Sequence, residues 1–194
     1  MTRRQKIIAL FYPLIMFFTK SGNRGTTLTN EKKQTPPVSF YDLKFQNNRG
    51  ENVDFSQFKG KQVLLVNTAS DCGFTAQFDP LQKLHETKRE NLVILGFPAN
   101  DFKEQEKGND SDIAQFCQLN FGVTFPLMKK SSVVKKAEQN PVHQWLTDSK
   151  KNGWNDHQPD WNFSKYLVDE NGKLMNYFGP SISPLSKEIL DSLK

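Results

Sequence analysis

The sequence predicts an α/β fold, with a central mixed sheet flanked by helices on both faces. Three observations carry that expectation. Gln62–Thr68 (QVLLVNT) and Asn91–Pro98 (NLVILGFP) are short runs with continuously apolar centres, as strands buried on both faces have. Each precedes apolar residues at helical spacing: Phe78, Leu81, Leu84 and His85 after the first, and Ile113, Phe116, Cys117 and Leu119 or Asn120 after the second. A turn-punctuated hairpin and a last helix follow, completing the element order of a sheet covered on both sides.

The elements follow in chain order. Ser39–Gln46, the turn-like NNRGEN and Val53–Phe58 predict a small N-terminal β-hairpin. The helix after the first buried strand is expected to run to about Glu90. Ala99–Asp110 is a polar loop, and Ser111 is placed to cap the next helix, which ends at Phe121-Gly122. Val123–Met128 is expected as a short strand. Asn140 caps a further helix with Val142, Trp145 and Leu146 on one face. Lys165–Val168 and Lys173–Phe178 form a hairpin around Asn171-Gly172, and Pro184–Lys194 closes the chain as a helix.

The 194 residues suit one domain with a substantial core. The net charge of +5 is unevenly placed: residues 1–35 hold seven Lys or Arg and one Glu, a net +6 that leaves −1 for the rest. A nucleic-acid surface needs a basic patch on the folded part, and Lys129-Lys130 and Lys135-Lys136 read as solvated loop charges instead. Two cysteines, Cys72 and Cys117, are too few for a disulfide scaffold and lack zinc-site spacing, so no metal is expected. The chain also lacks a phosphate-binding loop or dinucleotide fingerprint, so no bound cofactor is expected.

The basic head Thr2–Lys6 precedes Ile7–Phe18, twelve uncharged residues that are too short, as a helix, for a hydrocarbon core about 30 Å thick. Head and run together predict a secretory signal. The best small-x-small cleavage site, Thr19-x-Ser21, is poor, so an uncleaved membrane tether competes with it. The expected organisation is a signal or tether plus linker over residues 1–37, then a domain over 38–194. The protein is expected to be exported, periplasmic or membrane-tethered, with residues 7–18 as the membrane contact, and cytoplasmic otherwise.

Cys72 carries the chemistry. It follows the carboxy end of the first buried strand where a helix is expected to begin, and amide N–H groups and the helix dipole favour thiolate there. Asp71 opposes that if it points inward. A cysteine after the first buried strand of a compact α/β sheet suits the thioredoxin fold. Val66–Phe78 (VNTASDCGFTAQF) then resembles the first signature of the glutathione peroxidases, Gly96–Glu106 (GFPANDFKEQE) the second and Trp161–Gly172 (WNFSKYLVDENG) the third. Asn120–Pro126 and Asn140–Leu146 match further family segments in order. The resemblance spans about Ser39 to Leu185.

The resemblance implies a catalytic tetrad of Cys72, Gln105, Trp161 and Asn162. The residue types suit peroxide reduction, in which a thiolate attacks an O–O bond and becomes a sulfenic acid. Neutral amide and indole donors hydrogen-bond the thiolate and the leaving oxygen. Without the motifs, a lone cysteine or tryptophan would read as core, and Gln105 as surface. Ala99, Asp101 and Lys107 depart from the common pattern, which puts the conformation of this loop in question.

The resemblance further implies a thiol-dependent peroxidase acting on hydrogen peroxide and organic or lipid hydroperoxides. The sequence looks like the monomeric, phospholipid-hydroperoxide-like branch, because the short stretch between Trp145 and Trp161 lacks the long insertion associated with tetramer-forming members. Glutathione or a thioredoxin-like protein would regenerate Cys72 as co-substrate. Cys117 lies on the helix that carries a resolving cysteine in thioredoxin-using members; it fits equally as a small hydrophobe between Ile113 and Phe121. The alternative function is a peroxide sensor or thiol oxidant that relays its oxidation to a partner protein.

Overall fold

The computed structural model describes residues 25–194. Its seven strands among the described residues are β1 (Thr27–Thr29), β2 (Lys44–Gln46), β3 (Asn52–Asp54), β4 (Gln62–Thr68), β5 (Leu92–Pro98), β6 (Lys165–Val168) and β7 (Leu174–Phe178). Five form one sheet in the order β1-β7-β6-β4-β5, and β2 and β3 pair separately as the expected hairpin. Only β4 and β5 run parallel, from Gln62↔Leu92 to Thr68↔Pro98. The remaining pairs are antiparallel, so the sheet is mixed. The helices are α1 (Phe78–Lys88), α2 (Asp110–Phe121), α3 (Pro141–Leu146), α4 (Ser149–Asn152) and α5 (Lys187–Leu190).

All seven residues of β4 are buried, and its alternating side chains feed two cores. Leu64 and Val66 face Leu81 and Leu84 of α1, Ile113 and Cys117 of α2, and Ile189 of α5. Val63 and Leu65 face Phe40, Phe55, Val142, Trp145, Tyr166 and Tyr177. The centre of the strand, Val63–Val66, is thus apolar because neither face meets water.

Several boundaries differ from expectation. Thr27–Thr29, read as linker, is an edge strand on β7, with Leu28 opposite Tyr177. Asn30 Nδ2 then donates to the Leu174 carbonyl at 2.9 Å, closing that edge. A three-residue strand with a single apolar residue, Leu28, is too short for an apolar alternation to be read. Residues 1–24, and with them the apolar run Ile7–Phe18, lie outside the described residues. No helix among the described residues is long and apolar enough to cross a membrane.

The cap of α2 is Asn109, not Ser111. Its Oδ1 accepts from the Asp112 N–H at 3.0 Å while Asp112 Oδ2 accepts from the Asn109 N–H at 3.2 Å, a reciprocal box that outcompetes a lone serine. At the other end Gly122 takes φ 61°, the left-handed conformation that stops α2. Val123–Met128 makes only isolated bridges, Gly96 to Leu127 and Asn47 to Met128, because Pro126 removes a donor from any ladder. Of Pro184–Lys194, only Lys187–Leu190 is helical.

Gly96 shows how tightly this segment lies on β5. Its N–H donates to the Pro126 carbonyl at 2.9 Å, and its own carbonyl accepts from Met128 N–H at 2.7 Å. A Cβ there would meet Leu127 Cδ2 at 2.7 Å and Phe125 Cε2 at 3.3 Å, both on buried side chains. Gly96→Ala is therefore expected to cost about 1–3 kcal/mol. Urea denaturation would read this as a lower midpoint at unchanged slope; an unshifted midpoint would refute the overpacking argument.

Candidate active site

The site begins where β4 leaves the sheet. Thr75 Oγ1 accepts from the Cys72 N–H and donates to the Ala69 carbonyl, both at 3.0 Å, and so pins the turn between them. The Phe74 N–H points at Cys72 Sγ at 3.4 Å. A 3-10 turn at Thr75–Gln77 separates this turn from α1. The helix thus starts six residues beyond Cys72, later than the sequence suggested. A directed amide, rather than the first turn of a helix, supplies the partial positive charge at the sulfur. The thiol is 2% exposed.

The loop after β5 supplies Gln105. Asp101, one of the residues that departs from the family pattern, anchors it: the carboxylate accepts from Ser132 Oγ at 3.0 Å, Val133 N–H at 2.8 Å and Lys136 Nζ at 2.7 Å. Lys103 and Glu104 sit in the left-handed region at φ 53° and 52°. Two adjacent non-glycine residues there represent stored strain, of the kind found where a backbone must present a particular group. The group presented is Gln105, whose carbonyl accepts from the Asp71 N–H at 3.0 Å, tying the loop to the residue before Cys72.

Trp161 and Asn162 arrive from the segment preceding β6. Asn162 is fully buried, and its Nδ2 donates to Gln105 Oε1 at 2.9 Å. This bond joins two of the predicted tetrad directly, and the Asp71–Gln105 bond brings the Cys72 turn to them. The Trp161 ring packs on Phe102 at 5.4 Å between centroids, with Lys103 Nζ 5.7 Å from its own centroid. The Trp161 carbonyl is held by Asn67 Nδ2 at 3.0 Å.

Cys117 lies on α2, 1% exposed, in the same hydrophobic cluster as Cys72, Ile113 and Phe121. Neither cysteine is in a disulfide. Burial, with a smaller contribution from the Glu106 charge, pushes the Cys117 thiol up to about 12. In this conformation it is a packed hydrophobe.

Glu106 was quoted in the sequence motif without a role. It is 1% exposed, accepts from Ser70 Oγ at 3.1 Å, and its N–H donates to Asn100 Oδ1 at 2.9 Å. It lines a cleft of about 300 Å³ with Ser70, Asp71, Gln105, Ile113 and Phe116. Ser70, Thr75 and Asn67 also escaped the sequence reading. Asn67 sits near the end of a fully buried strand, where a polar side chain signals a buried bond.

Burial raises Glu106 from its ordinary 4.5 to about 7, against the lowering effect of Ser70 and Lys130. The fold favours the protonated form, so this contribution is complete below pH 4.5 and is lost as pH rises through about 7. The difference corresponds to about 3 kcal/mol. Glu106→Gln, which keeps an acceptor for Ser70 without the charge, is expected to gain stability relative to the parent across that window. Denaturation at pH 5 and pH 8 should show a small difference at pH 5 and a clear gain at pH 8; equal differences at both would refute it.

The model of the glutathione peroxidase family matches residues 40–147. The chain is 46% identical over 150 residues to glutathione peroxidase-like peroxiredoxin 2 of Saccharomyces cerevisiae, covering 77% of this chain and 92% of that one. It is 44% identical over 152 residues to a glutathione peroxidase of Lactococcus lactis, covering 78% and 96%. The crystal structure of Trgpx in apo form superposes with a TM-score of 0.61 at 34% identity, covering 80% of this chain and 95% of that one. A DsbF homologue from Corynebacterium diphtheriae reaches 0.61 at 16% identity over 89% and 96%, a likeness of fold alone. With the thioredoxin-like sheet, the buried cysteine turn and these relatives together, the chain belongs to the glutathione peroxidase family and is an enzyme of the thiol peroxidase type.

Proposed function

We propose that Cys72 reduces hydrogen peroxide and organic hydroperoxides through a sulfenic acid. The thiolate attacks one peroxide oxygen; an S–O bond forms and the O–O bond breaks. The departing oxygen takes a proton and leaves as water or alcohol. Amide hydrogens of Gln105 and Asn162 and the Trp161 indole N–H act on the thiolate and on the charge that develops on the leaving oxygen. The observation that carries this reading is the Asn162–Gln105 bond of 2.9 Å beside a loop bonded to Asp71. It brings neutral amide groups onto the loop that is bonded to the residue before Cys72. The reductant enters as a co-substrate thiol.

For regeneration we favour a two-cysteine cycle. Cys117 shares the hydrophobic cluster of Cys72 on one face of the sheet, and two relatives carry peroxiredoxin in their names. With α2 closed, the Cys117 thiol is buried and its proton held tightly. Its attack on the sulfenic acid, which forms the S–S bond and releases water, requires α2 to open first. A thioredoxin-like protein would then reduce the disulfide. The burial of Cys117 favours the second reading, in which an external thiol such as glutathione attacks Cys72 directly.

Cys72→Ser is expected to abolish peroxide consumption, and Gln105→Ala or Asn162→Ala to slow the first step roughly 100-fold, read by stopped-flow. Wild-type rates in either amide variant would remove that residue from the chemistry. Mass spectrometry after one equivalent of hydrogen peroxide is expected to show a Cys72–Cys117 bridge in the parent and a sulfenic or overoxidised Cys72 in Cys117→Ser. A persistent Cys72 sulfenic acid in both proteins would establish the external-thiol cycle instead. No oxidation at Cys72 would defeat the peroxidase reading.

A further inference from the structure

Lys165, the first residue of β6, is a lysine with no exposed surface. Its side chain lies in the interior, where an ammonium is costly unless its donors are matched. They are matched to two backbone carbonyls, Phe163 at 2.8 Å and Ile182 at 2.6 Å. Burial lowers its pKa well below the usual lysine range. A hydrophobic residue would satisfy that sheet position without this cost, so the carbonyls it holds are the informative part.

Phe163 immediately follows Asn162. It is a fully buried aromatic with φ 67°, the left-handed conformation that a bulky side chain rarely adopts. Its peptide is restrained on both sides: the N–H donates to the Asn67 carbonyl at 2.6 Å, and the carbonyl accepts from Lys165. The second carbonyl, at Ile182, belongs to a segment that also touches the cysteine turn. Gln77 Nε2, three residues after Phe74, donates to the Pro180 carbonyl at 2.6 Å. One short stretch, Pro180–Ile182, therefore joins the element following Cys72 to the peptide following Asn162, and Lys165 closes the connection.

We infer that Lys165 is a positioning residue of the peroxidatic site: by fixing the Phe163 peptide against Pro180–Ile182, it holds the Asn162 amide on Gln105 and in register with the Cys72 turn. This rests on the reading above in which Asn162 acts on the reacting atoms.

The test uses the full chain with Lys165→Met, Asn162→Ala and the double variant, measuring the rate of Cys72 oxidation by hydrogen peroxide, the pH profile of Cys72 alkylation by iodoacetamide, and thermal stability. Lys165→Met is expected to fold but to be less stable than the parent, because it leaves the buried Phe163 and Ile182 carbonyls without the donor they share, so rates are compared well below its unfolding transition. It is also expected to oxidise at least tenfold more slowly, with a shifted alkylation profile. Adding Asn162→Ala to it should slow the reaction little further, since both changes disable one group. Lys165→Gln, one bond shorter and still bearing an NH2 donor, is expected to fall between, and it carries the same comparison should the Met variant not fold. A Lys165→Met variant with wild-type rate and profile beside a slow Asn162→Ala would overturn the inference alone. So would losses that simply multiply in the double variant. A wild-type rate in Asn162→Ala would overturn the tetrad reading, and the inference with it.

Discussion

Asn67 is the residue on which the geometry of the site depends. It is the last but one position of β4, and it reaches three peptide groups of the facing segment. Its side chain donates to the Trp161 carbonyl at 3.0 Å, its carbonyl accepts from Phe163 N–H at 2.6 Å, and its N–H donates to the Ser164 carbonyl at 3.3 Å. These bonds continue the β4–β6 ladder past its last regular pair, Val66↔Lys165. They carry the rigidity of a fully buried strand into a segment that is neither helix nor strand. Cys72 lies five residues further along the chain, so one strand end positions both the Cys72 turn and the segment that carries Trp161 and Asn162.

The polar groups around the site are buried, and each is costly in isolation. Glu106, Asn162 and Lys165 have 1%, 0% and 0% exposure. In such surroundings a bond with a partner is stronger than in water, and a missing partner is correspondingly expensive. The loops therefore have few alternative arrangements. The same low dielectric keeps the Cys117 proton on its sulfur as long as α2 stays closed. In the proposed two-cysteine cycle, peroxide chemistry at Cys72 and thiol chemistry at Cys117 are thereby separated by a conformational step rather than by distance along the chain.

The sequence made the frame legible and left the irregular joints obscure. β4 and β5 announce themselves because the centre of a strand buried on both faces is apolar, and α1 because Phe78, Leu81 and Leu84 share one face. Gln105, Trp161 and Asn162 were found through motifs; the loops that hold them carry no periodicity of their own. The strained backbone at Lys103, Glu104 and Phe163 has no signature in residue types that ordinarily avoid such φ values. The cap of α2 was misplaced by two residues because Ser111 and Asn109 are both competent, and the choice falls to the reciprocal bond with Asp112. β1 was missed because one leucine between two threonines at an edge looks the same as linker until its partner strand is known.

The two margins of the large sheet have a consequence for how this protein behaves in a crowded solution. A sheet margin with a long row of free N–H and C=O groups is a template on which another chain can pair and aggregate. Here one margin ends in only three residues, Thr27–Thr29. At the other, Gly96 in the middle of β5 already exchanges bonds with Pro126 and Met128 of its own chain. Neither margin offers an uninterrupted run for a neighbouring molecule to extend. A peroxidase that opened α2, as the proposed two-cysteine cycle requires, could thus loosen one helix without presenting a sheet that would polymerise.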